Sequence, residues 1–197
     1  MKKIVVFASG GGSSVENLYL YFSKNPNVEV LKLYCNKPEA GVLKRNRINS
    51  LEKLIFNNDE LNSDKILNDL QNLSPDLIVL AGFLKKIPEK IVDLFRNKIV
   101  NIHPSLLPKY GGKGMFGINV HKSVIENNEE YSGFTIHYVN KNYDEGDIIF
   151  QKKIIINTEN PLDLAKKILV EEHKYYPQII ENILNESWYN SLHWWFL

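Results

Sequence analysis

Ile4-Val-Val-Phe-Ala8 runs straight into Ser9-Gly-Gly-Gly-Ser-Ser14. Five apolar residues in a row suit a strand buried on both faces, as in a parallel sheet. The glycines supply a tight turn, and Val15, Leu18, Tyr19 and Phe22 then fall on one helical face. A helix capped by Ser13 or Ser14 is expected there. Strand, glycine turn and helix open a parallel α/β sheet.

The same rhythm continues for a hundred residues. Strands are predicted over 28–35, 54–56, 76–82 and 99–103, the last stopped by Pro104. Helices are predicted over 40–47, over 63–73 with Ile66, Leu67 and Leu70 inward, and from Pro88 to about Phe95. Residues 104–117 show little periodicity and carry Gly111, Gly112, Gly114 and Gly117. A short helix over 120–126 follows, then two strands, 134–139 and 147–156, joined by a hairpin-type connection over 140–146. Residues 161–184 read as a long final helix. Nothing repeats at a fixed period, and no linker divides the chain. The expected fold is a single Rossmann-like α/β domain over 1–197, its sheet mostly parallel with an antiparallel carboxy-terminal element.

Composition narrows the function. The 197 residues carry 24 Lys and Arg against 23 Asp and Glu, a net charge of +1, so no whole-molecule field favours nucleic acid or a membrane surface. Cys35 is the only cysteine, which excludes an internal disulfide and a cysteine-based metal site. The longest apolar run, about 77–84, is far short of the ~18 residues of a membrane span. The apolar stretch at the amino terminus is too short for a signal peptide, and the chain is expected in the cytoplasm.

Four places can carry chemistry. Backbone N–H groups of the glycine turn, at a helix N-terminus, form an anion site; a ligand-free strand–helix turn is the alternative. The turn has neither Gly-Lys-Ser/Thr nor Gly-x-Gly-x-x-Gly, so it is no familiar nucleotide loop. In Asn101-Ile-His103-Pro-Ser-Leu-Leu-Pro108, strand alternation puts Asn101 and His103 on one side, at the end of a strand where open sheets bind ligands. An amide donor beside an imidazole suits carbonyl polarisation and oxyanion stabilisation. A backbone-satisfied His with a capping Asn is the plainer reading. Asp144 lies in an ordinary acidic turn, yet folded over that pair it would raise the imidazole pKa. Glu172 interrupts the apolar stripe of the final helix (Ala165, Ile168, Leu169, Tyr176, Ile179, Ile180, Ile183), where it either meets a ligand amine or pairs with a Lys. His121, His137, His173 and His193 show no zinc-type spacing, and no metal is expected. Trp188, Trp194 and Trp195 read as a packing or subunit-contact element.

The segment 101–108, NIHPSLLP, resembles the signature of the folate-dependent formyltransferases. With the SGGGSS loop, Ala81-Gly-Phe83, Asp144-Glu-Gly146 and Glu171-Glu-His-Lys-Tyr-Tyr-Pro177, the chain is similar to the branch that formylates glycinamide ribonucleotide in purine synthesis. The resemblance implies formyl transfer from 10-formyltetrahydrofolate to that substrate's primary amine. Asn101, His103 and Asp144 would be the catalytic trio, with the imidazole protonated. The backbone of Gly12, Ser13 and Ser14 would hold the phosphate, and Glu172 would lie near the amine. Leu84, Lys85, Lys86, Ile87 and Val92, with Val139, Asn140, Lys141, Tyr143 and Asn101, would enclose the folate.

The resemblance divides the chain into a phosphate-substrate half, about 1–100, and a catalytic and folate-binding half, about 101–197. It implies a cis Leu107–Pro108 bond, small-molecule partners only, and a monomer or homodimer. Departures are Gly11 and Ser14 where well-known members carry asparagines, no arginine around 56–59, and a longer 110–117 loop that puts Asn119 where some carry a histidine. Competing acceptors within the superfamily are amino-sugar nucleotides, initiator methionyl-tRNA and water. The tRNA enzymes normally carry a further carboxy-terminal domain, for which this chain ends too early, and the hydrolases an amino-terminal one. A different class is a non-catalytic phosphate- or nucleotide-binding module, which leaves Asn101, His103 and Asp144 unexplained.

Overall fold

The structure, a computed structural model, describes residues 1–185. The aromatic tail with Trp188, Trp194 and Trp195, and His193 beside it, lie outside the described residues. Seven strands form one sheet in the order β3-β2-β1-β4-β5-β6-β7. They are β1 (Lys2–Ala8), β2 (Val28–Cys35), β3 (Glu52–Ile55), β4 (Leu77–Leu80), β5 (Ile99–His103), β6 (Tyr131–Tyr138) and β7 (Ile148–Ile155). The five strands β3-β2-β1-β4-β5 pair in parallel, whereas β5–β6 and β6–β7 are antiparallel.

Helices α1 (Ser13–Phe22), α5 (Ile118–Glu126) and α6 (Pro161–Leu184) pack on one face. On the other lie α2 (Asn58–Asn62), α3 (Asp64–Leu73) and α4 (Glu89–Leu94). β1 shows why its apolar run is unbroken. Ile4, Val6 and Ala8 enter the first core, Val5 and Phe7 the second, and all five are fully buried. Phe7 stacks on Tyr34 at 4.5 Å and meets Phe83 edge-on. The order reverses between β1 and its two neighbours, β2 and β4, and at such a switch point the strand ends splay into a crevice.

Some expected elements differ. The helix over 40–47 is two short 3-10 turns, Gly41–Lys44 and Asn46–Ile48. β3 begins two residues early, because its pairing with Lys32–Cys35 sets its register rather than its own apolarity. α2 was not anticipated; a capping box between Asn57 and Glu60 starts it. Neither Ser13 nor Ser14 caps α1. Gly12 occupies the cap with φ 74°, and no side chain bonds there. A Cβ at Gly12 would stand 2.3 Å from Val42 Cγ2, so glycine is required on both grounds. The Leu107–Pro108 bond is cis, as expected.

Candidate active site

A cavity of about 560 Å³ opens where β4 and β5 end. Its walls come from the segments after β4 and β5, the 112–118 loop, the β6–β7 connection and the inner face of α6. It joins the three residues expected to do chemistry to Glu172 and Ser14.

Asn101 and His103 project from β5 to the same side, and the β6–β7 connection carries Asp144 over them. Asp144 Oδ2 lies 3.6 Å from His103 Nδ1 and accepts the Gly112 N–H at 2.9 Å. Its Oδ1 lies 3.5 Å from Asn101 Nδ2. Asp144 adopts φ 56°, a conformation that Asp and Asn tolerate better than most residues. His103 Nε2 contacts the Tyr110 carbonyl at 2.7 Å. A carbonyl only accepts, so Nε2 carries the hydrogen and Nδ1 is the titrating nitrogen facing Asp144.

Burial pushes the His103 imidazole down, and Asp144 and the Tyr110 carbonyl offset only part of that. Asp144 acts in the expected direction, raising the pKa, but burial is the larger effect and leaves the imidazole below its usual value. His103 is only 4% exposed, and desolvation outweighs the carboxylate. For Asp144, burial pushes up, but His137, His103 and the Gly112 N–H together hold the carboxyl below its usual value.

Two histidines join the cluster that sequence reasoning had only counted. β5 and β6 pair Asn101 with His137, whose Nε2 accepts from Asn101 Nδ2 at 3.1 Å while Nδ1 donates to the Tyr138 carbonyl at 2.8 Å. His137 Nε2 is also 3.6 Å from Asp144 Oδ1. His121 of α5 lines the cavity with Nδ1 buried and, among the described residues, without a hydrogen-bond partner. Burial, then His103, push it down to about 4, which keeps it neutral. Asn119, expected in a histidine's place, is exposed and off the cavity. The available signal was a polar residue on a buried helical face, the same signal that exposed Glu172; for His137 it required the strand register.

Glu172 is nine-tenths buried and lines the cavity; among the described residues its carboxyl has no hydrogen-bond or ion-pair partner. Burial raises its pKa from 4.5 to about 7. The Lys pairing considered from sequence is absent among the described residues. On the glycine turn, the Gly10 carbonyl accepts from Val42 N, the Gly11 carbonyl from Arg45 Nε and the Gly12 carbonyl from Glu16 N. The N–H groups of Gly12, Ser13 and Ser14 have no acceptor among the described residues. Of these three residues only Ser14 borders the cavity, and its Oγ is 3.4 Å from His173 Nε2.

Of the residues expected to enclose the folate, Leu84, Lys85, Lys86, Ile87, Val139, Asn140 and Tyr143 line the cavity. Val92 and Lys141 do not. Val92 faces the second core, as its position on the buried side of α4 requires. Lys141 turns outward to Asp93 at 2.9 Å and Glu89 at 3.6 Å. No group of three or more His, Cys, Asp or Glu among the described residues could hold a metal ion, and no described helix is long and apolar enough to cross a membrane.

A doubly wound sheet with an Asn–His–Asp cluster at its strand ends defines a class, and the comparisons name it: the chain belongs to the formyl transferase family, which it matches over residues 2–180. It is 40% identical over 193 residues to the chloroplastic phosphoribosylglycinamide formyltransferase of Arabidopsis thaliana, covering 94% of this chain and 66% of that protein. It is 34% identical over 191 residues to the phosphoribosylglycinamide formyltransferase of Bacillus subtilis, covering 93% and 95%. The chain thus spans about two thirds of the length of the first plant relative and nearly all of the bacterial one. The crystal structure of phosphoribosylglycinamide formyltransferase from Anaplasma phagocytophilum superposes with a TM-score of 0.83 at 31% identity, over 94% of this chain and 88% of that one.

Proposed function

We propose that this chain transfers the formyl group of 10-formyltetrahydrofolate to the primary amine of glycinamide ribonucleotide. The observation that carries the reading is one cavity lined together by Asn101, His103 and Asp144, by the largely apolar set around Leu84–Ile87 and Val139, and by Glu172 with Ser14. The wall of Leu84–Ile87, Val139, Asn140 and Tyr143 takes the flat pteridine, with Val92 supporting it from the core. The carboxy-terminal half supplies catalysis and part of the folate surface, and the amino-terminal half holds the phosphate. The protein works as a monomer or homodimer in the cytoplasm.

The amine attacks the formyl carbon, and an oxyanion develops. Asn101 Nδ2 has a long, weak contact to Asp144, which the oxyanion displaces readily. His103 starts neutral with Nδ1 bare, so it takes the proton lost by the attacking amine, directly or through one water. The resulting imidazolium faces Asp144 at 3.6 Å, a charge pair that forms only as the reaction proceeds. The proton then passes to the departing folate nitrogen as its bond to carbon breaks, and His103 returns to neutral. Glu172, without a partner of its own, accepts hydrogen bonds from the amine and aims it.

An absorbance assay of 10-formyltetrahydrofolate consumption tests the acceptor. Turnover with glycinamide ribonucleotide alone supports the reading. Turnover without any amine indicates a hydrolase, and turnover only with an amino-sugar nucleotide moves the acceptor.

A further inference from the structure

We propose that Arg45 is the positioning residue of the anion cradle, and that it sets the preference for a phosphorylated acceptor from outside the glycine turn. The inference rests on the functional reading above, in that the acceptor's phosphate is what the cradle holds. It starts from the far side of the turn. Arg45 joins the two 3-10 turns after β2, with φ −80° and ψ 115°. Its Nε donates to the Gly11 carbonyl at 2.5 Å, and its Nη1 to Glu16 in the first turn of α1 at 2.6 Å. Val42, three residues earlier, donates its N–H to the Gly10 carbonyl at 3.0 Å. The same segment therefore holds two consecutive carbonyls.

A trans peptide unit is planar, and its C=O and N–H point in opposite directions. Fixing the Gly10 and Gly11 carbonyls toward Val42 and Arg45 turns the Gly11 and Gly12 N–H groups away from them. The N–H groups of Ser13 and Ser14 follow in the first turn of α1, where no carbonyl can take them. Four donors thus converge on one side, and the positive end of the α1 dipole favours an anion there. A second feature points to a ligand at this end: Ser14 shares the cavity with Glu172, which is nine-tenths buried and has no hydrogen-bond or ion-pair partner among the described residues.

Arg45 acts by direction more than by net charge, since Glu16 neutralises it. The planar fork spans Gly11 and Glu16 together, and a lysine ammonium on a flexible stem does not reproduce that geometry. His173, half-buried with Nε2 3.4 Å from Ser14 Oγ, has its pKa lowered by burial and then by the Arg45 charge.

The test compares KM and kcat for glycinamide ribonucleotide and for its dephosphorylated riboside, in the wild type, Arg45→Ala, Arg45→Lys and Glu16→Gln. Inorganic phosphate binding is measured by calorimetry on the same proteins. Arg45→Ala is expected to raise KM for the phosphorylated acceptor about tenfold or more, as loss of a charge-assisted hydrogen bond does. It should leave kcat, the folate KM and the riboside KM within twofold. Arg45→Lys should recover only part of the loss. Glu16→Gln, which leaves the Arg45–Gly11 bond in place, should keep the ratio of the two acceptors. Phosphate binding should weaken in parallel with the KM effect. An equal rise for both acceptors, full rescue by Lys, or unchanged phosphate binding in Arg45→Ala overturns the inference. If no variant and no wild type formylates either acceptor, the functional reading fails, and the phosphate titration still decides the role of Arg45.

Discussion

Glu172 is the side chain with the clearest pH signature. Its pKa of about 7 against 4.5 in an unfolded chain corresponds to about 3 kcal/mol. Because the folded value is raised, that stability is present below pH 4.5 and is lost as pH rises from there to about 7. Glu172→Gln is therefore expected to be more stable than the wild type at pH 8 and no more stable at pH 4.5, as denaturant unfolding at the two pH values reads out. The same substitution should remove the part of the rise in kcat/KM for the amine that follows Glu172 ionisation near pH 7 and leave the lower-pH limb set by His103; an unchanged profile near pH 7 contradicts the amine-aiming role. Asp144→Asn probes the other end of the cavity. It keeps the acceptor for Gly112 and suits φ 56°, but removes the charge that supports His103. The His103 pKa should fall further, moving the acid limb of the kcat/KM profile to lower pH. The maximum rate should drop about a hundredfold or more. An unshifted limb would mean that His103 does not gain its proton beside Asp144.

The antiparallel end of the sheet joins side chains to elements. β6 and β7 press so closely at Gly133, φ 157°, that a Cβ there would stand 1.9 Å from the Lys152 carbonyl oxygen. Gly133→Ala is expected to cost about 4 kcal/mol, a fall in Tm of about 10 °C in a chain of this size. An unchanged melting curve would contradict the β6–β7 register. That register also explains what could be read from sequence. Strands buried on both faces announce themselves as apolar runs, so β1 and β4 were legible, and α6 was legible from its stripe and Pro161. Asn101 and His103 share a strand, and two-residue alternation was enough to pair them. His137 reaches them only through pairing across 36 residues, which no local pattern encodes. The 3-10 turns escaped because 40–47 is too short for its period to separate the helix types. The cap of α1 was misread because serine preference was weighed without the positive φ that Gly12 takes.

Across the molecule, the two cores hold the sheet, and the chemistry sits at the carboxyl end of β5, two strands from β1, where the strand order reverses. Only the assembled fold sets burial, which is why the His103 proton state could not be read from its neighbours in sequence. The 4% exposure of that imidazole, not the presence of Asp144, settles the sign of its shift. The central claim is that this buried, neutral histidine moves the proton during formyl transfer. The most direct test is single-turnover formyl transfer by His103→Ala, with 10-formyltetrahydrofolate binding followed in parallel. The account predicts folate affinity within a few-fold of the wild type and a rate lower by about a hundredfold to ten-thousandfold. Formyl transfer at the wild-type rate from a folded, folate-binding variant would contradict it.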